Sequence, residues 1–377
     1  MGAPVPVSRL ATPEGTARYR GRFPHLPRDH FRTFYHLTVS SIGIGTYLGD
    51  LSEATDRMQE QALVDAVLGG INLIDTASTY RCQRAERAVG RALKRLEEEH
   101  GVTRDEIVVV TKGGLLAFDG APPDDVAAWF HDSIAAPGLA TLEDLAGGYS
   151  LLTLPFIQNA LARSLENLGL PGVDVYLLHN VEMQLDRVAK GQMKDLITPL
   201  FAWLEGEADA GRVGRYGVAT WDALRGDFKD PHYLSLAALQ AMAKQAAGEG
   251  KRPRLGFVEL PLNLGMAEGF TRFNQATGEG NVASAVMAAH QLGLTVLTSV
   301  PLMQGQLAAG VPEPLAALTP NLTHPAQHAL QFARSTPGVG TAVVGLKAPE
   351  HVAQALAVAA VGPLKRQDYL TLFQRAE

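Results

Sequence analysis

The 377 residues carry 33 Lys and Arg against 39 Asp and Glu, a formal net charge of −6, and 46% of them are hydrophobic. That balance, with no long basic run, argues against nucleic acid as the main partner, and a chain this long buries a large core as one big α/β domain or two medium ones. The single cysteine, Cys82, excludes an intrachain disulfide framework and a multi-cysteine zinc site, and suits a reducing cytosol. No apolar run approaches the roughly 20 residues of a membrane helix, and the opening MGAPVPVSRLATPEG has no signal-peptide core, so the expected compartment is the cytoplasm, with no membrane partner.

Residues 1–38 are rich in Arg, Pro and His, show no clear period, and read as an extension or small cap. From there one theme repeats: a short run of Val, Ile, Leu and Gly, a polar loop, then a helical stretch. The strands are read at Ser40–Thr46, Ile71–Ala77, Glu106–Lys112 and Val173–Asn180, then Arg215–Thr220, Gly256–Leu262, Thr295–Leu302 and Thr341–Lys347. Helical candidates between them include DRMQEQALVDAVLG, QRAERAVGRALKRLEEEH and FIQNALARSLENLG; in the second, Ala85, Val89 and Leu93 recur at i, i+4, i+8. Apolar strands alternating with amphipathic helices predict a parallel sheet covered by helices, and eight strands point to a closed (β/α)8 TIM barrel over 39–362, followed by a C-terminal segment, 363–377. The segment 113–155 after the third strand is far longer than a usual barrel loop. It reads either as a lid whose Trp129, Phe130 and Tyr149 line a pocket, or as a surface excursion with a short helix.

A rival reading takes Gly43–Gly49, GIGTYLG, as a Rossmann fingerprint with Asp75 on a ribose. The spacing G-x-G-x-x-x-G and the intervening DLSEAT place the helix too far from a pyrophosphate, so the barrel is preferred. In a barrel the C-terminal strand ends converge at one mouth. Three consecutive strands end there in Asp75, Lys112 and His179, with Tyr80 on the loop after the second. Singly, each has a structural explanation: a turn cap, a snorkelling lysine, a half-buried histidine. Together they support one chemistry. A lysine held charged by a carboxylate lowers the pKa of a neighbouring phenol, that phenol protonates an oxygen, and the histidine orients it. None of these side chains supplies a hydride, so a nicotinamide cofactor is expected.

The stretches GIGTYLG, GINLIDTASTYRCQRAERAVGRAL, VVVTKGG, SLENLGLPGVDVYLLHN, GRYGVAT, PLMQGQL and GVGTAVVGLKAPEHVAQAL resemble the aldo-keto reductase superfamily, nearest its bacterial and potassium-channel β-subunit-like members. The resemblance runs from about Thr38 to Ala360. It implies a (β/α)8 fold using NADPH, with Asp75, Tyr80, Lys112 and His179 as the catalytic tetrad and Tyr80 as general acid. It also implies cofactor contacts from Thr46, Tyr47 and Thr220, from Glu259 and Ser299, and from Pro301, Leu302, Gln304, Gly305 and Leu307 of the pyrophosphate loop. The adenosine end falls to Gly345, Lys347, His351 and Gln354, Lys347 meeting the 2′-phosphate, and the substrate side to Tyr47 and Trp221. Several positions depart from the family pattern. The residue stacked on the nicotinamide is Ser299, the pair after the fifth strand is Ala219-Thr220, the sixth-strand glutamine is Glu259, and the adenosine pair is Gln354-Ala355.

The expected activity is NADPH-dependent reduction of an aldehyde or ketone to an alcohol, or the reverse. The altered contacts keep open a nucleotide-binding regulatory module, or a non-redox reaction such as an isomerisation. Remaining features read as structural. His324 and His328 share an i, i+4 spacing but lack a third ligand, so no metal is expected and a surface helix is. The sequon at Asn321 has no meaning in a cytosolic protein, and Glu86 ties its loop to a helix. Cys82 lies near the mouth with nothing to lower its pKa.

Overall fold

In the computed structural model, which describes residues 10–278 and 280–374, eight parallel strands close into a barrel. They are β1 (Ile42–Gly45), β2 (Leu73–Asp75), β3 (Val108–Gly113), β4 (Val173–His179), β5 (Val213–Ala219), β6 (Leu255–Pro261), β7 (Thr295–Ser299) and β8 (Val339–Gly345). Each strand pairs with the next, and β8 closes the ring on β1 from Ala342↔Ile42 to Gly345↔Gly45. The closed ring rules out the open Rossmann sheet. All eight predicted strands are present; the first four and the seventh are shorter than predicted, and the fifth, sixth and eighth begin one or two residues earlier.

Helices follow the strands in the expected alternation: α1 (Glu53–Leu68), α2 (Arg84–His100), α3 (Leu154–Leu168), α4 (Met193–Asp209), α5 (Leu236–Ala247), α6 (Ala285–Gln291), α7 (Pro325–Ser335) and α8 (Pro349–Ala359). The sequence stripe on α2 is its buried face: Ala85, Val89 and Leu93 pack inward with Ala92 and Leu96. Gly101, at φ 63°, ends that helix in the left-handed conformation that suits glycine. Residues of β3 and β4 are buried throughout, as strands covered on both faces must be.

The aperiodic N-terminal stretch is described from Leu10 on. A helix at Pro13–Gly21, capped by Thr12, docks on the approach to β3 through Arg18 and Arg22, which pair with Glu106, and through the buried Tyr19. Strands Phe31–Phe34 and Leu37–Ser40 form a hairpin turned by Tyr35 and His36, both at positive φ. This hairpin plugs one end of the barrel. Val39 joins Leu73, Val108, Val175 and Leu297 in the interior, and the Tyr35 hydroxyl donates to the carbonyls of Gly256 and Gly293 at 2.8 Å. Residues 1–9 and 375–377, the outer ends of the predicted N-terminal and C-terminal segments, lie outside the described residues.

The 113–155 segment folds over the opposite end. It holds a helix at Val126–Phe130 that runs on into a π-helical turn at His131–Ala135 and a further turn at Leu142–Asp144, and it pairs Leu115 with Ser150. Phe130 and Ile134 are buried in this excursion, and Trp129 packs edge-on against Phe118, 4.8 Å between ring centres. Tyr149 alone of the three predicted aromatics lines the cavity, because the other two are consumed in packing the loop on itself. Among the described residues, no helix is long and apolar enough to cross a membrane.

Candidate active site

The C-terminal ends of the strands surround a cavity of about 1030 Å³. Asp75 stands at the end of β2, Lys112 near the end of β3 and His179 at the end of β4, so adjacent strands place them side by side. Tyr80 hangs from the loop between β2 and α2. The three residues that follow it, Arg81, Cys82 and Gln83, are all left-handed, with φ of 52°, 52° and 68°. Non-glycine residues hold that conformation only when their surroundings fix it. Here the Arg81 guanidinium does so: it donates to the Asp50 carbonyl at 2.9 and 3.1 Å and to the Gln59 side chain at 2.9 Å, and it pairs with Asp56.

Lys112 is the hub. Its fully buried ammonium donates to both oxygens of Asp75, at 2.5 and 2.6 Å, and to the Tyr80 hydroxyl at 3.2 Å. It also lies 3.4 Å from Oε2 of Glu259, which reaches in from β6 on the other side of the barrel. Tyr80 stacks edge-on with Tyr47, 5.1 Å between centres, and with His179 at 6.0 Å. Asp75, Tyr80 and His179 line the cavity; Lys112 does not, and acts on it only through its neighbours. The four predicted catalytic residues are thus brought together.

Burial works against the Lys112 charge, but Asp75, Glu259 and Tyr80 outweigh it and hold the ammonium above the usual lysine value. Burial lowers the His179 imidazole to about 3, and Lys112 adds to this, so the ring is neutral. The expected acidification of Tyr80 is reversed. Burial raises its pKa above the ordinary phenol value, and Asp75 and Glu259 add to the rise; Lys112 opposes it and loses. The expectation failed because it left out the burial of the phenol, the largest effect, and counted only one of the two carboxylates that share the cation.

Glu259 is the second carboxylate. Burial, then the like charge of Asp75, push it up to about 8 against the pull of Lys112. Burial raises Asp75 as well, against Lys112. Asp75 makes both short contacts to the ammonium while Oε2 of Glu259 has no hydrogen-bond partner, so near neutral pH Asp75 keeps the charge and Glu259 takes the proton.

Most of the predicted cofactor and substrate residues line the same cavity: Thr46, Tyr47, Thr220, Trp221, Glu259 and Ser299; Pro301, Leu302, Gln304 and Gly305; and Gly345, His351 and Gln354. Leu307 and Lys347 do not. Leu307 belongs to the turn Met303–Ala308, which lines the cavity through Gln304, Gly305 and Ala308 instead, and Lys347 sits on the loop into α8, whose first turns offer Glu350 and His351 to the cavity. Two of the threonines face the scaffold, the Thr46 hydroxyl donating to the Asp75 carbonyl at 3.1 Å and that of Thr220 to the Glu259 carbonyl at 3.4 Å.

Other residues escaped the sequence reading. The buried Glu182, three positions past His179, accepts from the backbone N–H groups of Trp221 and Asp222 at 2.5 and 3.3 Å and so sets Trp221 over the mouth. Leu115, Leu116 and Met183 give the mouth an apolar side, and Asp186 pairs with His232 at its rim. Only the position of Glu182 just past a strand end hinted at its role. His328 is no surface residue: it is buried against Thr319, while His324 caps α7, and no metal-binding group occurs among the described residues. Glu86 accepts from Thr111 on β3 and Asn167 on α3, locking α2 to its neighbours. Cys82 is partly buried, and burial raises its thiol.

Residues 41–226, just under half of the chain, match the model of the Aldo/keto reductase family. The matched residues carry Asp75, Tyr80, Lys112 and His179 but end before Glu259, Ser299 and Lys347. Over 151 residues the chain is 30% identical to the NADH-specific methylglyoxal reductase of Escherichia coli K12; this covers 38% of the chain, which spans about two fifths of that relative's length (39%). The fold is also that of the glycerol dehydrogenase from Gluconobacter oxydans, at TM-score 0.63 and 16% identity over 92% of this chain and 95% of that one. It is likewise similar to an aldo/keto reductase from Klebsiella pneumoniae solved with NADP and acetate, at TM-score 0.59 and 19% identity over 93% and 98%.

Proposed function

We propose that this protein is an NAD(P)H-dependent oxidoreductase that interconverts a small aldehyde or ketone and its alcohol, with Tyr80 as the proton donor. The observation that carries the reading is the Lys112 ammonium bound at once to Asp75 and to the Tyr80 hydroxyl on the floor of a large cavity. When bound, a nicotinamide cofactor supplies the hydride for reduction and accepts it for oxidation. The cavity suits such a group: it is long, it runs from the tetrad to the start of α8, and two buried polar atoms in its wall residues, Oε2 of Glu259 and Nδ1 of His179, have no partner.

Each side chain has a defined task. Tyr80, its pKa raised, carries its proton at neutral pH and places it at the oxygen of a bound carbonyl. Lys112, 3.2 Å away, faces the phenolate that the transfer leaves and stabilises it. Asp75 keeps Lys112 charged and in place. The neutral His179 hydrogen-bonds the same oxygen and fixes its direction. In the reverse reaction, the alcohol proton returns to Tyr80.

The family relatives support a nicotinamide cofactor in general. We take NADPH over NADH because His351 borders the nucleotide end of the cavity and Lys347 lies just outside it, although Glu350 opposes them. Titration with each reduced cofactor, followed by nicotinamide fluorescence, tests both points; tighter NADH binding would overturn the choice of phosphate. A panel of aldehydes, ketones and sugars then tests the reaction. Binding without turnover of any of them in either direction would favour a nucleotide-binding module instead.

A further inference from the structure

The floor of the cavity holds two carboxyl groups for one cation. Asp75 holds Lys112 at 2.5 Å, and Glu259 stands off from the same ammonium at 3.4 Å. Its side chain is 6% exposed, its Oε2 has no hydrogen-bond partner, and it borders the cavity between Thr220 and Ser299. The flanking strands present no competing charge there, since β5 ends in Ala219-Thr220 and β7 in Ser299. The titratable groups facing Glu259 are Asp75 and Tyr80 from the β2 side and Lys112 from β3, with the neutral His179 beyond.

A ring that passes hydride to a carbon whose oxygen sits on Tyr80 has to lie against this floor. Small side chains, Ala219 and Ser299, leave room for it on the Glu259 side. The ring is cationic when oxidised and neutral when reduced. We infer that Glu259 is the counter-charge of the oxidised cofactor: its ionised carboxylate favours the cationic ring, and its protonated form favours the neutral one. This rests on the cofactor reading above. The proton inventory follows directly. Near neutral pH Glu259 carries a proton in the empty site, binding of the oxidised cofactor shifts it towards solvent, and binding of the reduced cofactor leaves it in place. Across the same range Lys112 stays charged, while Tyr80 and His179 stay neutral, so Glu259 is the group on the floor whose charge can answer to the ring.

The test is calorimetric titration of the purified protein with NADP+ and with NADPH, in buffers of different ionisation enthalpy. With a drop of about one unit from about 8, NADP+ binding at about pH 7 is expected to release roughly half a proton more than NADPH binding. The affinity for NADP+ relative to NADPH is expected to rise about fivefold or more between about pH 6.5 and about pH 9, since a one-unit drop in the Glu259 pKa on binding corresponds to tenfold. Both cofactors carry the same 2′-phosphate, so its titration cancels in the ratio. In Glu259→Gln the extra proton release and the slope should vanish while both cofactors still bind. Wild-type protein that binds both with equal proton release and a flat ratio overturns this inference and leaves the oxidoreductase reading intact. Binding of neither form overturns that reading, and this one with it.

Discussion

The two walls of the cavity are built on different terms. On the β2–β4 side the polar groups are paired: Asp75 with Lys112, Lys112 with Tyr80, and Tyr80 stacked between Tyr47 and His179. On the β6–β8 side a buried carboxylate oxygen has no hydrogen-bond partner, a small Ser299 leaves space, and the loop Met303–Ala308 runs through left-handed residues at Met303, Gln304 and Gly305. The first wall lies within the residues matched to the family and the second lies outside them. The contrast separates two jobs. On the first wall the Asp75–Lys112–Tyr80 contacts are made before any ligand arrives and Nδ1 of His179 is left without a partner, whereas on the other wall the free carboxylate oxygen and the open space at Ser299 await one.

Four substitutions test that division. Tyr80→Phe should lower carbonyl turnover by about a hundredfold or more, the usual contribution of a general acid, and leave cofactor affinity nearly unchanged. Retained turnover would remove Tyr80 from the mechanism. Lys112→Met should cost about 3–5 kcal/mol of stability in urea unfolding, because it strands buried carboxylates without their cation. The loss should be greater at alkaline pH, where those carboxylates cannot take up protons; a loss that does not change with pH would mean that Lys112 contributes packing alone.

The third prediction concerns the unpaired wall. The folded-state pKa of Glu259, about 8, lies above that of an unfolded glutamate, so the folded chain binds the extra proton. Its stability contribution is complete below the unfolded value and is lost as pH rises through about 8. Wild-type melting temperature should therefore fall from mildly acidic pH towards pH 8, and Glu259→Gln should flatten that slope. An unchanged slope in the variant would place the titration elsewhere. The smallest effect is expected at Ser299→Ala, whose stability should stay within about 0.5 kcal/mol of wild type, as for surface-like sites. A larger loss would show that the open side of the cavity is itself a packed element.

The barrel and the four residues of the paired wall were legible because their signals are local. Buried strands read as apolar runs, α2 reads as a stripe, and Asp75, Lys112 and His179 each end such a run. What the sequence hid depends on distant residues meeting. Burial raises the Tyr80 pKa, and Asp75 and Glu259 add to the rise; Glu259 does so from a strand on the far side of the ring, and no spacing in the chain encodes that approach. The hairpin plug escaped notice because its strands are four residues each and its turn is Tyr35-His36, without the glycine that usually marks a two-residue turn. Lys347 matched by alignment, yet a loop position next to a helix can present either of its sides to a cavity.

The Arg81 contacts have a mechanical side. They fasten the segment behind Tyr80 to Asp50 and to Gln59 on α1, while Tyr47, on the same β1–α1 loop, leans on the Tyr80 ring from the front. The phenol is held at both ends by one loop. Whatever meets Tyr47 at the mouth therefore touches the same loop that braces the proton donor from behind.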